Sequence, residues 1–132
     1  MTDHPNDIGI IIVDHGSKRA EANAMLDDVV KMFREVSGAV NVEAAHMELA
    51  EPSIDQAMAK CVERGAKRIV VHPYMLSPGR HSTTDIPRMV CEAAEAFPGI
   101  RVSVTEPLGV DARIGEVIRR RVEAALETDA AS

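Results

Sequence analysis

The chain has 132 residues, 45% of them apolar but only 2% aromatic, and a formal net charge of −6. That length suffices for one ordinary domain, whose core must be aliphatic. Charge and the shortage of aromatics argue against a nucleic-acid binder, which needs basic patches or stacking platforms, and no apolar run reaches membrane-spanning length. Cys61 and Cys91 show no CxxC spacing and frame no zinc site. They read as thiols of a reducing compartment. With the polar opening "MTDHPNDIG", in which no signal segment is visible, the expected location is cytoplasmic.

The predicted elements alternate. "IGIIIV" (8–13) is a β-branched run of the kind buried on both faces of a sheet. Ala22, Met25, Leu26, Val29, Val30 and Phe33 then step by three and four, giving a helix with one apolar face. "AVNVEAAHM" (39–47) reads as the second strand. Ile54, Ala57, Met58, Cys61 and Val62 form the second helical stripe, entered through Pro52-Ser53 and closed near Gly65. "RIVVHPY" (68–74) is the third strand. The third helix carries Ile86, Met89, Val90, Ala93, Ala94 and Phe97 and stops at Pro98-Gly99. "IRVSV" (100–104) is the fourth strand, and Ile114, Val117, Ile118, Val122 and Ala125 mark the last helix.

This is (βα) four times: an α/β fold with a four-stranded parallel sheet and flanking helices. No linker divides the chain, so residues 1–132 are expected to be a single domain, with 1–7 and 128–132 frayed. The sheet is expected to consume every helical stripe, leaving no further apolar face. Right-handed crossovers put the C-terminal ends of all strands along one edge, where ligands bind in such folds.

Three segments follow the first three strands: "DHGSKRAEAN", "HMELAEPS" and "HPYMLSPGRHSTTDIP". His15, Glu48 and His81 recur about one βα unit apart, so two imidazoles and a carboxylate can face one cleft. Those groups suit first-row divalent metals and accept protons near neutral pH. The blander readings are a loop histidine bonded to backbone for His15, a helix N-terminal residue for His81, and a solvated carboxylate for Glu48, with Glu51 competing. Ser82, Thr83 or Thr84 is the candidate N-cap of the third helix. His46 and His72, late in their strands, read as satisfied, half-buried histidines or as supports of a site. Arg119-Arg120-Arg121 reads as a solvated or interface face. No P-loop or GxGxxG is present, which disfavours a phosphate-binding domain.

"DHGSKRAEAN", "AHMELAEPSI" and "PGRHSTTDIP", in that order, resemble the signature segments of the small class II chelatases, the sirohydrochlorin ferrochelatases and cobaltochelatases of the CbiX/SirB type. The resemblance runs from about residue 8 to about residue 110, and its wording is similar to the ferrochelatase branch. It implies a lyase that inserts Fe²⁺ or Co²⁺, with Ni²⁺ not excluded, into sirohydrochlorin, in siroheme or cobalamin biosynthesis. On the family pattern His15, Glu48 and His81 match the metal-handling and catalytic positions, and short members are implied to work as homodimers. Sirohydrochlorin is rich in carboxylates, so an acidic protein needs local counter-charge: Lys18, Arg19 and Arg80, with hydroxyls from Ser17 and Ser82. Gly16 and Gly79 are expected to turn the backbone where a flat ligand approaches. The metal is substrate, and no permanent cofactor is expected. Plant members carry a C-terminal iron–sulfur segment. Here the last residues, "EAALETDAAS", hold no cysteine, so no cluster is expected. The alternative is a metal or tetrapyrrole carrier that binds without turnover.

Overall fold

The computed structural model describes residues 4–131. Its elements are β1 (Ile8–Asp14), α1 (Ala20–Ser37), β2 (Val42–His46), α2 (Ile54–Glu63), β3 (Arg68–Pro73), a π-helical turn (His81–Asp85) that runs into α3 (Ile86–Ala94), β4 (Arg101–Val104) and α4 (Ala112–Ala131). The four strands form one parallel sheet in the order β2-β1-β3-β4. From β1 the chain steps one way to β2, then the other way to β3 and β4. Right-handed crossovers therefore put α1 on one face and α2 and α3 on the other.

The core divides accordingly. Ile11, Val13, Ala45, Ile69 and Val71 pack with Ile54, Met58 and Cys61 of α2 and Ile86 and Val90 of α3. Ile12, Val42 and Ala44 pack with Leu26 and Val30 of α1. Each fully buried Leu or Ile stabilises by roughly 1.5–3 kcal/mol. The approach of α2 to β1 is close: a Cβ on Gly9 would lie 2.8 Å from Cys61 Cβ. Burial pushes the Cys61 thiol up to about 11, the Glu43 charge adding to the shift and Arg64 opposing it.

Local chemistry sets the boundaries. Ser53 and Gln56 form a reciprocal capping box at the start of α2. Gly38 ends α1 in the left-handed conformation, its N–H donating to the Arg34 carbonyl. β2 begins at Val42, later than the apolar pattern from residue 39 suggests. Asn41 before it is buried and turns its amide to the carbonyls of Asn6 and Cys61. Asp7, counted with the frayed N-terminus, accepts from the N–H groups of Lys67 and Arg68, and α4 continues through Ala131. Residues 1–3 and 132 of the expected frayed ends lie outside the described residues.

One expectation is overturned. The sheet does not consume the last helical stripe. None of the described residues of α4 is buried, and Val117, Ile118, Val122 and Leu126 stand exposed along it. The sheet face that α1 covers only in part stays open as an apolar groove of about 270 Å³, lined by Ile10, Ile12, Val29, Met32, Phe33, His72, Tyr74 and Leu108. Among the described residues no helix is long and apolar enough to cross a membrane.

Candidate active site

Parallel strands bring the ends of β1, β2 and β3 to one edge. Asp14 ends β1 opposite His46 of β2. His46 is buried, and its Nδ1 lies 2.7 Å from Asp14 Oδ1. The same oxygen accepts from the Gly16 N–H at 3.0 Å. An ionised carboxylate only accepts, so His46 carries its proton on Nδ1. His46 thus supports the loop that presents His15.

The loops after β1 and β2 are joined through their backbones. Met47 N–H donates to the Asp14 carbonyl at 2.8 Å and Glu48 N–H to the His15 carbonyl at 3.1 Å. Gly16 takes φ +88°, and a Cβ there would fall 1.8 Å from the Glu48 carbonyl oxygen. Only glycine fits. Ser17 continues the turn: its N–H and carbonyl bond the Asn23 side chain, and its hydroxyl accepts from the Arg19 N–H.

His81 is not in a loop ahead of a helix, as its sequence context suggests. It opens the π-helical turn, in which the Ile86 N–H donates to the His81 carbonyl, five residues back. Pro87 follows at the start of α3 and has no N–H to offer the preceding turn, which favours the wider spacing. Ser82 is buried inside this segment. Its hydroxyl accepts from the Gly79 N–H at 3.1 Å and lies 3.3 Å from the Gly79 carbonyl, so it closes the loop rather than capping the helix. Gly79 itself is not left-handed and has open space where a Cβ would be. The loop turns without needing glycine there.

The two histidine rings meet edge to face, centroids 4.7 Å apart and planes at 89°. They line a cleft of about 330 Å³ with Tyr74, Leu76, Arg80 and Ser82. His81 Nδ1 lies 3.0 Å from Asp85 Oδ2. Arg80 is exposed beside it, its Nε 3.9 Å from the other Asp85 oxygen. Lys18 and Arg19 are exposed on the neighbouring loop, Arg19 near Glu21.

Glu48 does not complete a ligand trio. Its backbone holds His15, but its side chain is exposed, and no group of three His, Cys, Asp or Glu side chains among the described residues is placed to hold a metal ion. What the chain assembles is a pair of accessible imidazoles, a donor type that suits first-row divalent ions. His72 lies off the cleft, its Nδ1 2.7 Å from Thr105 Oγ1, which donates to the Glu106 carbonyl. Burial lowers its pKa, partly offset by the Glu106 backbone.

Sequence reasoning missed Tyr74 and Leu76 as cleft walls, although their place just after β3 was the available signal. It also missed the partners Asp14 and Asp85. Their spacing to His46 and His81 carries no motif, and only the folded chain brings them together.

Comparison with known proteins follows the same residues. The CbiX family model matches residues 9–125. A protein of Arabidopsis thaliana described as "Sirohydrochlorin ferrochelatase, chloroplastic" is 54% identical over 115 residues, covering 87% of this chain and 51% of the plant protein. A "Sirohydrochlorin cobaltochelatase" of Sulfurisphaera tokodaii is 32% identical over 124 residues, covering 94% of this chain and 98% of its own length. The structure of "SirB from Bacillus subtilis with Fe3+" superposes with a TM-score of 0.83 at 27% identity, covering 90% of this chain and 47% of SirB. The chain therefore spans about half the length of the plant relative and of SirB, and nearly all of the archaeal one.

Proposed function

The chain belongs to the CbiX family, and from that premise we propose that it is a sirohydrochlorin chelatase, inserting Fe²⁺ or Co²⁺ into the macrocycle. The observation that carries this reading is the His15–His81 pair at the sheet edge, rings 4.7 Å apart at the mouth of a cleft. Iron is the first choice, because the 54% identical plant relative is named a ferrochelatase. Cobalt is second, on the name of the archaeal relative.

Metal insertion requires the ion to shed water and the pyrrole N–H protons to leave. His15 and His81 are proposed to hold the incoming ion over one face of the macrocycle. Two neutral imidazoles bind it loosely enough to pass it to the ring nitrogens, and an imidazole freed of metal accepts a departing proton. Glu48, exposed at the neighbouring strand end, is proposed to assist proton removal rather than to ligate. Arg80 is the carboxylate contact best placed at the cleft, with Lys18 and Arg19 on the adjoining loop. Ser17 and Ser82 are proposed to act mainly by shaping the loops, since both hydroxyls are engaged with backbone.

We also propose that the chain, one α/β domain, acts as a homodimer in which a second copy stands where SirB has its other half. The half-length match supports this. So do the exposed apolar stripe of α4 and the open groove beside α1. Cytoplasmic placement belongs to the same reading and rests on the two unpaired cysteines.

The test is a turnover assay with anaerobic sirohydrochlorin and Fe²⁺ or Co²⁺ in turn, following macrocycle absorbance. Multiple turnovers, lost in His15→Ala and His81→Ala, are expected. Tight binding with no rate above the spontaneous reaction would leave a carrier on a chelatase fold.

A further inference from the structure

We propose that Asp85 is a positioning residue that fixes which nitrogen His81 presents to the metal, an inference that rests on the chelatase reading. The two histidines of the pair are not equivalent. Among the described residues the His15 ring has no hydrogen-bond or ion-pair partner, whereas His81 Nδ1 lies 3.0 Å from Asp85 Oδ2. The Asp85 side chain is 19% exposed against 48% for His81, so the carboxylate is the more buried and better fixed partner of the pair.

A carboxylate that only accepts draws the imidazole proton to Nδ1. Nε2 is then left with its lone pair, the form that ligates a metal or takes a proton. Carboxylates orient metal-binding histidines in this way. Asp85 is held for the task by the backbone. It stands one residue before Ile86, which is fully buried in the core, while the exposed Arg80, 3.9 Å from its other oxygen, adds little to its placement. A change in the ring of His81 is thus resisted by the core through a single short side chain.

Three variants separate this role from its rivals. Asp85→Ala removes the orienting carboxylate. It is expected to weaken Co²⁺ binding to the protein alone, and to lower kcat, by about 10–100-fold, with the KM for sirohydrochlorin changed far less. Arg80→Ala is expected to do the converse, raising that KM while Co²⁺ affinity holds. Asp85→Glu restores a carboxylate and is expected to recover most of the loss. Wild-type Co²⁺ affinity and kcat in Asp85→Ala would overturn the proposal, as would a change confined to the KM. Equal losses in Asp85→Ala and Asp85→Glu, with unfolding midpoints lowered alike, would assign Asp85 to the fold alone and also overturn it. If the wild-type protein fails to metallate sirohydrochlorin, the chelatase reading falls, and the Co²⁺ titrations still decide what Asp85 does to His81.

Discussion

The Cβ that Gly16 lacks would stand 1.8 Å from the carbonyl oxygen of Glu48. The loops after β1 and β2 therefore touch backbone to backbone, and the residue between His15 and Ser17 is fixed by space and by its φ of +88° together. Gly16→Ala has to part the loops or abandon the turn. It is expected to destabilise by more than about 2 kcal/mol, read from urea unfolding, and to lower kcat because His15 moves with the loop. Unchanged stability and rate would mean that the two loops are not coupled.

His15→Ala and His81→Ala remove exposed rings, so stability is expected to stay within about 0.5 kcal/mol of wild type. Each is expected to lower kcat by about 10²–10⁴. If the rings act as a pair, the double variant loses little more than either single one. Full additivity would separate their roles.

His72 supplies a pH prediction away from the cleft. Its pKa is lowered in the fold, mainly by burial, so the neutral ring is favoured there. That contribution is present above the ordinary value near 6.5 and is lost as pH falls through the lowered folded value. Wild-type stability is expected to drop more between pH 7.5 and the acid side of that window than stability of His72→Gln. Parallel pH profiles for the two proteins would refute this.

The exposed stripe of α4 gives an assembly prediction. Val122→Glu places a charge in the middle of that stripe, where no core of the same chain is disturbed. It is expected to shift the protein from dimer to monomer in sedimentation velocity at micromolar concentration. Thermal stability of the monomeric domain is expected to change little. A wild-type protein that sediments as a monomer would overturn the dimer, and an unshifted Val122→Glu dimer would place its interface elsewhere.

The βαβα order, the aliphatic core and the common edge of His15 and His81 were legible because they follow from periodicity and from the handedness of crossovers. Strand ends were legible to within a few residues. β2 starts late because Asn41 finds buried amide partners, which hydrophobic pattern does not encode. The fate of α4 was hidden for another reason: an apolar stripe says that a helix will be covered, not by what. The pairing of His46 with Asp14 joins two strands, and no local signal announces it. Asp85 and Pro87 were visible as residues, but the widened turn that joins them to His81 depends on a hydrogen bond between residues five apart, which propensity does not report.

That turn has a consequence for how such a site can change. Downstream of it, Ile86 and Val90 are locked into the core. Upstream, Arg80 and His81 point into the cleft. The extra residue is taken up between the two. A π-turn spreads about one more residue over a full rotation than an α-turn does, so removing that residue restores ordinary helical pitch and leaves the two sides facing nearly as before. The turn therefore absorbs a one-residue difference in length locally, and the imidazole keeps its outlook on the cleft while the packed half keeps its own on the core.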